Sequence, residues 1–310
     1  MSKSKIEWTD AVWNPVTGCT KISVGCQNCY AERMSKRLAG RCGYPKDEPF
    51  KVTLHPEKIN EPWKWKKPRR IFVNSMSDLF HDDVPFEFIK LVWATMVTSR
   101  QHIYMILTKR PKRMLEFFEW MEEQEFKVET TWPCVWLGVS VENQATADER
   151  IPLLLQTPAV VKFISAEPLL GPVSLAGFDG QTYRPWLDSV AWEVDIDWII
   201  VGGESGPGAR PMHPDWVRIL RDQCQASGTK FFFKQWGEWN QVGECGNESD
   251  DGKYYRDNNV QRINHNGGMG YHGAGAIYMK RVGKKQAGRE LEGRTWDELP
   301  ETGGQNDQMR

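Results

Sequence analysis

The chain has 310 residues, a formal net charge of −1 and 26% charged residues. A chain of this length can bury a large core, and it contains no apolar run near the roughly 18 residues that span a bilayer. The balanced charge excludes a global field that attracts nucleic acid or membrane. The amino terminus has no apolar signal core, and an odd number of cysteines, seven, suits a reducing compartment. We therefore expect a cytoplasmic protein without membrane contact.

Apolar strand-like runs alternate with amphipathic helical stretches along most of the chain. Seven strands are predicted, at residues 11–17, 71–74, 103–107, 135–140, 161–165, 198–201 and 230–233. Five helices are predicted between them, at residues 28–39, 85–99, 111–123, 143–155 and 214–227. Repeated strand-helix units predict parallel strands with right-handed crossovers.

The expected fold class is α/β, a partial or nearly closed (β/α) barrel of six or seven parallel strands. We assign residues 1–240 to this barrel and residues 241–310 to a loop-rich, lid-like carboxyl-terminal extension. Within the extension, residues 276–281 regain strand character and Trp296 offers an apolar anchor.

Three cysteines, Cys19, Cys26 and Cys29, fall between the first predicted strand and the first helix. Thiolates at close spacing are typical ligands of zinc and of iron-sulfur clusters, and three of them leave one metal position open for chemistry. Cys42 follows Cys29 by thirteen positions, so a closed four-cysteine zinc site with a structural role is the alternative.

A cysteine loop followed by successive β/α units resembles the core of the radical S-adenosylmethionine (SAM) enzymes. The wider pattern resembles a family of phage- and bacteria-associated proteins of unknown function over roughly residues 6–240. Its motifs are Trp13-Asn-Pro-Val-Thr-Gly-Cys19, Cys26-Gln-Asn-Cys29-Tyr-Ala, Asn74-Ser-Met-Ser-Asp-Leu-Phe80, Gly202-Gly-Glu-Ser205 and Lys234-Gln-Trp-Gly237.

The radical SAM resemblance implies a 4Fe-4S cluster held by Cys19, Cys26 and Cys29, with SAM chelating the fourth iron. It also implies an electron donor of flavodoxin or ferredoxin type, cleavage of SAM to a 5′-deoxyadenosyl radical, and hydrogen abstraction from a substrate. Six residues separate the first two cysteines, where the commonest radical SAM pattern has three. The motifs do not specify the substrate; nucleic acid or a nucleotide is the candidate class, and a partner protein of unknown kind is a further candidate.

Polar residues after the predicted strands are the candidates for binding SAM, because ligands of parallel α/β folds bind at the carboxyl ends of strands. The resemblance points to Ser75, Ser77 and Asp78 for the SAM amino group. It points to Ser140 and Glu142 for the ribose. A loop turn or a helix cap is the alternative for these residues.

Later strand ends supply further candidates. They are Glu167, Gly202, Gly203, Glu204, Arg210, Lys234 and Gln235. The two glycines would let the backbone approach a ligand closely, and Glu204 would face the substrate or the adenine end. A structural salt bridge between Glu204 and Arg210 is the alternative.

Two basic segments are candidates for nucleic-acid contact. Lys109, Arg110, Lys112 and Arg113 follow the third strand, where they could hold phosphate or the SAM carboxylate. Residues 63–70, Trp-Lys-Trp-Lys-Lys-Pro-Arg-Arg, precede the second strand and are expected at the other end of the barrel. Interleaved aromatic and basic side chains can stack bases and pair phosphates, although a solvated loop with packed tryptophans is the alternative. The rival function is a zinc-stabilised nucleic-acid-binding module without catalysis.

Overall fold

The computed structural model of the chain describes residues 4, 6–124, 132–178, 183–186, 196–246, 248–254, 256–267 and 275–301. Its strands are β1 (Ala11–Trp13), β2 (Val16–Thr17), β3 (Thr53–Leu54), β4 (Arg70–Val73), β5 (Ile103–Thr108), β6 (Val135–Ser140), β7 (Val161–Ala166), β8 (Ala176–Phe178), β9 (Tyr183–Pro185), β10 (Trp198–Gly202), β11 (Lys230–Gln235), β12 (Trp239–Glu244), β13 (Val260–Ile263) and β14 (Ile277–Arg281). Its α-helices are α1 (Tyr30–Leu38), α2 (Phe86–Thr98), α3 (Pro111–Glu123), α4 (Gln144–Leu155), α5 (Pro214–Ser227), α6 (Glu248–Tyr254) and α7 (Lys284–Ala287).

The main sheet has seven strands, which are hydrogen-bonded in the order β1-β4-β5-β6-β7-β10-β11. The pairs β1 with β4, β4 with β5, β5 with β6, and β10 with β11 are parallel. Helices α2, α3, α4 and α5 each connect one strand of this sheet to the next. The sequential strand order with intervening helices confirms the predicted α/β fold class, a partial (β/α) barrel.

The central strands are buried from end to end, which explains why they appear as continuous apolar runs in the sequence. Every residue of β6, β7 and β10 is buried. Such strands are typical of a parallel sheet that is covered on both faces. Proline begins α3 and α5, and Gly228 follows the last residue of α5 with φ 80°.

Two regions differ from the prediction. The first predicted strand is divided at Asn14-Pro15, because Pro15 has no N–H to donate and the Asn14 side chain accepts from Ser75 Oγ and Met76 N. The carboxyl-terminal extension contains an antiparallel sheet in the order β12-β14-β13. Of these strands only β14 carries a clear strand pattern, whereas β12 and β13 are largely polar.

The chain divides into two compact units. The first unit comprises residues 1–140, 150–163 and 300–310, and the second comprises residues 141–149 and 164–299. The predicted domain boundary at residue 240 stays a prediction. Within the described ranges, every helix is too short or too polar to cross a membrane.

Candidate functional site

The loop that carries the three cysteines begins at Gly18, in the first unit. Its φ of 84° lies in the left-handed region, and a Cβ at this position would lie 2.1 Å from the Lys51 carbonyl oxygen. The next residue, Cys19, donates its backbone N–H to Phe50 O at 3.1 Å. Only glycine allows this close backbone approach, which fixes the direction of the chain at Cys19, just after β2.

Ser75 and Ser77, predicted to contact SAM, brace this loop. Ser75 Oγ donates to Asn14 Oδ1 at 3.3 Å, and Ser77 Oγ donates to Val16 O at 2.8 Å. Asn74 adds a further tie, since its Oδ1 accepts from Val16 N at 3.3 Å. The loops after β1 and β4 are thus locked together by their own polar groups.

Asp78 is buried, with 6% of its surface exposed, and both of its carboxylate oxygens are hydrogen-bonded. Oδ1 accepts from Phe80 N at 3.0 Å and from Thr108 Oγ1 at 2.8 Å. Oδ2 accepts from Lys109 N at 3.0 Å and from Arg110 Nη1 at 3.3 Å. These bonds fill the roughly four acceptor positions of a carboxylate and correspond to the loop-turn alternative.

Arg110 extends from the end of β5 to the cysteine loop. Its Nη1 donates to Cys19 Sγ at 3.6 Å, and its Nη2 donates to Thr20 Oγ1 at 2.9 Å and to Thr20 O at 3.3 Å. The Thr20 hydroxyl is also 2.8 Å from His81 Nε2. Because His81 Nδ1 accepts from Asp83 N, its Nε2 carries the proton and donates to Thr20.

The three candidate ligands are free of disulfides and partly exposed. Burial, followed by the Asp78 carboxylate, raises the pKa of Cys19 to about 11 despite the opposing charge of Arg110. Burial alone would raise the pKa of Cys26, but hydrogen bonds with the backbone of Ile22 and Ser23 and the charge of Lys109 lower it. Metal binding at Cys19 would consequently release a proton, whereas the Cys26 thiolate is easier to form.

Across the described ranges, no three His, Cys, Asp or Glu side chains are gathered as ligands of one metal ion. Thiolates that share one zinc lie about 4 Å apart, whereas in a 4Fe-4S cluster each cysteine binds a different iron. A 4Fe-4S cluster therefore does not require three cysteines to converge on one metal ion. Cys42 lies on the tight turn after α1 with φ 51° and is exposed.

In the second unit, the strand-end acidic residues are paired with basic residues. Glu167 Oε1 lies 3.0 Å from Lys234 Nζ. Glu204 is 7% exposed, and its Oε2 accepts from Arg210 N at 2.8 Å and Nε at 2.9 Å, while Oε1 accepts from Arg210 Nη2 at 2.7 Å. The bidentate contact corresponds to the salt bridge that was the alternative to a ligand role.

The glycines of the second unit lie against protein atoms. A Cβ on Gly202 would lie 2.6 Å from Glu167 Oε1, and one on Gly203 would lie 2.0 Å from the Trp236 carbonyl oxygen. Gly237 has φ 84°, and its Cβ would lie 2.1 Å from the Glu204 carbonyl oxygen. The glycines allow the loops after β10 and β11 to pack backbone against backbone. Their predicted close approach to a ligand stays a prediction.

The two predicted ribose contacts lie in buried positions, one in each unit. Ser140 ends β6 in the first unit and is 3% exposed, and its carbonyl accepts from Arg150 Nη1 at 2.8 Å. Glu142 in the second unit is fully buried, and its backbone N–H donates to Thr146 Oγ1 at 2.9 Å. A role in binding SAM stays a prediction for both.

A family model matches residues 3–300, and its description is protein of unknown function, DUF5131. The chain belongs to the DUF5131 family. No curated protein and no solved structure matches it. The resemblance to a family of unknown function is thereby confirmed.

The basic segments of the DUF5131 chain differ in how their charges are used. Arg110 is buried, and Arg113 donates to His81 O at 3.2 Å and to Val84 O at 2.9 Å. In the other segment Trp65 is buried and contacts His102 edge-on, whereas Trp63 is 53% exposed. The sequence could not separate these two tryptophans, because their neighbours are alike.

The Arg110–Cys19 contact was not predicted from the sequence. The available signal was topological: Asp78 and Arg110 follow β4 and β5, which are adjacent in the sheet. The carboxyl ends of adjacent parallel strands lie side by side, so a carboxylate after one and an arginine after the next are expected to pair.

Proposed function

We propose that this protein is a radical SAM-type iron-sulfur enzyme whose 4Fe-4S cluster is held by Cys19, Cys26 and Cys29. The supporting observation is a loop with three partly exposed cysteines outside disulfides, fixed at its base by the polar groups that follow β4. Such a loop can wrap a cluster and leave one iron open. When bound, the reduced cluster would supply one electron to the SAM sulfonium, breaking a C–S bond to give methionine and a 5′-deoxyadenosyl radical. A one-electron donor of flavodoxin or ferredoxin type is the proposed partner.

The SAM amino group is a donor, so it needs acceptor atoms near the open iron. Within the part of the chain that the structure describes, the hydroxyls of Ser75 and Ser77 each donate one hydrogen bond and accept none. Both oxygens therefore keep acceptor capacity. Asp78 would have to give up one of its four hydrogen bonds to contact SAM. We therefore propose the two serines as the main contacts of the amino group.

Formation of 5′-deoxyadenosine tests this function. Anaerobically reconstituted protein is incubated with SAM and a chemical one-electron reductant, and the products are separated by chromatography. We expect 5′-deoxyadenosine from the natural protein and none from Cys26→Ala. Cys42→Ala is the matched control and should retain the activity. A cluster-loaded natural protein that releases no 5′-deoxyadenosine would contradict SAM cleavage.

The second candidate function is nucleic-acid binding by an exposed basic-aromatic surface, which we define as Trp63, Lys64, Lys66 and Lys67. All of these side chains are exposed, and within the described ranges none of the three lysines forms an ion pair. An exposed tryptophan flanked by available ammonium groups can stack a base and contact phosphates. This surface could serve either the enzyme, as a substrate-binding region, or the rival zinc-stabilised module.

Binding of a fluorescent single-stranded oligonucleotide at low salt tests the basic-aromatic surface. The variant Lys64→Gln/Lys66→Gln/Lys67→Gln should bind more weakly, and its salt slope should fall by about 0.7 for each phosphate that the variant no longer neutralises. Lys112→Gln, an exposed lysine of the other segment, is the control. Equal affinities in all three proteins would show that this surface does not bind nucleic acid. Binding by a colourless zinc-loaded protein would favour the rival module.

A further inference from the structure

The Arg110 guanidinium lies between the Asp78 carboxylate and the Cys19 sulfur. Only 8% of its surface is exposed, so solvent screens its contacts weakly. Nη1 is 3.3 Å from Asp78 Oδ2 and 3.6 Å from Cys19 Sγ. The remaining carboxylate near it, Asp82, lies 3.8 Å from Nε and is 75% exposed, so its charge acts mainly through water.

The opposite edge of the guanidinium holds the residue after Cys19. Nη2 donates both to the hydroxyl and to the carbonyl of Thr20, at 2.9 and 3.3 Å. The planar fork therefore fixes the backbone next to the sulfur while it donates to the sulfur itself. An ammonium group has no such fork, so lysine could supply the charge without the geometry.

Asp78 orients the arginine. Its other three hydrogen bonds come from the backbone of Phe80 and Lys109 and from the Thr108 hydroxyl, which fixes the carboxylate relative to β5. The Thr108 hydroxyl in turn accepts from Arg110 N at 2.9 Å. The arginine is thus anchored at both its backbone and its side chain before it reaches Cys19.

We propose that Arg110 is a positioning residue for the cluster, one that holds Cys19 in its ligating orientation and donates to the bound sulfur. This inference rests on the proposed function. Hydrogen bonds to cluster sulfurs and nearby positive charge favour the more negative, reduced state and raise its reduction potential. Asp78 is assigned to the same network as the anchor of the arginine.

Potentiometric titration of the reconstituted cluster tests the inference without any catalytic assay. Arg110→Met should lower the midpoint potential, with about a tenfold loss in the stability of the reduced state, ~59 mV for a one-electron couple. Arg110→Lys should fall between Arg110→Met and the natural protein. Arg113→Met is the matched control, because Arg113 is also partly buried but donates to the carbonyls of His81 and Val84. Its midpoint should not move.

A second variant tests the inference without changing the buried Arg110. Thr20 is exposed, and Thr20→Val removes one acceptor of the fork, together with the acceptor of His81 Nε2, while Arg110 itself is unchanged. We expect a smaller shift in the same direction and faster loss of iron to a chelator. If Arg110→Met assembles no cluster, a cluster in Arg110→Lys that loses iron to the chelator faster than the natural protein supports the inference, because lysine supplies the charge but not the fork. Identical midpoints in all variants would overturn it, whereas a natural protein without a cluster would overturn the proposed function and this inference together.

Discussion

Each unit holds two loops close together, but the residues that do so differ between the two units. In the first unit, the loops after β1 and β4 are tied by Ser75 and Ser77, and Gly18 allows a close backbone approach. In the second unit, the loops after β10 and β11 meet through Gly203 and Gly237. In the second unit the two loops meet through glycines whose Cβ would clash with a carbonyl of the other loop, whereas Gly18 in the first unit approaches Lys51, outside the two tied loops.

The two pairs of loops also differ in the functional side chains that they carry. The first-unit pair leads into partly exposed cysteines, one of which contacts a buried guanidinium. The second-unit pair carries the acidic residues Glu167 and Glu204, and both are engaged by a cation. A polar residue near a strand end can therefore be partly exposed or can be paired as a brace, and the sequence does not reveal which.

The largest expected effect is the loss of bound iron from variants of the cysteine loop. Alanine at Cys19, Cys26 or Cys29 should abolish cluster assembly, since each thiolate would hold one iron, whereas Cys42→Ala should leave it intact. Iron and sulfide assays on the four reconstituted variants provide the measurement. Equal loss of metal in Cys42→Ala would favour a closed four-cysteine site.

The next contrast concerns backbone packing in the second unit. Gly237→Ala should lower the free energy of unfolding by at least ~3 kcal/mol, because its Cβ would lie 2.1 Å from the Glu204 carbonyl oxygen. Gly228 is the control: it has φ 80°, but no atom lies within 4 Å of the position that a Cβ would take, so alanine should cost only about 1 kcal/mol. Urea unfolding measures both. Equal losses of stability would show that the close packing of the two loops is unimportant.

A smaller effect is expected from the two ion pairs. Glu204→Gln should destabilise the protein by about 2 kcal/mol, because a buried carboxylate with three hydrogen bonds to Arg210 is removed. Glu167→Gln should cost about 1 kcal/mol or less, since its contact with Lys234 is a single point charge and partly exposed. The reverse order in urea unfolding would mean that the Glu204–Arg210 contact is not the stronger brace.

The smallest effect is a pH dependence at the start of α5. His213 Nδ1 accepts from Asp215 N, and burial lowers the pKa of His213 below its ordinary value of 6.5. The fold therefore favours the neutral ring, and this contribution is complete above pH 6.5 and is lost as the pH falls through the lowered pKa. His213→Asn keeps an acceptor at the cap but removes the titration.

Thermal unfolding between pH 7.5 and 5.5 measures this contribution. The decline in melting temperature should be smaller in His213→Asn than in the natural protein. A decline of the same size in both proteins would show that His213 does not contribute to it. His81 offers the same arrangement in the first unit, where its Nδ1 accepts from Asp83 N.

The sequence was sufficient for the fold class and for most helix limits, because buried parallel strands and proline-initiated helices have strong local signals. Helix α3, for example, begins and ends as predicted, at Pro111 and Glu123. The roles of polar strand-end residues were not predictable in the same way. Asp78 and Ser77 are residue types that often bind ligands, but Ser77 donates to Val16 and Asp78 accepts from Thr108, which are about 60 and 30 positions away in the chain.

Metal analysis of anaerobically purified protein measures whether the three-cysteine loop holds an iron-sulfur cluster. We predict a brown protein with about four iron and four sulfide per chain, and a spectrum that bleaches on reduction. A colourless protein with one zinc per chain and no sulfide would show that the loop holds no iron-sulfur cluster and would leave the nucleic-acid-binding module as the better description.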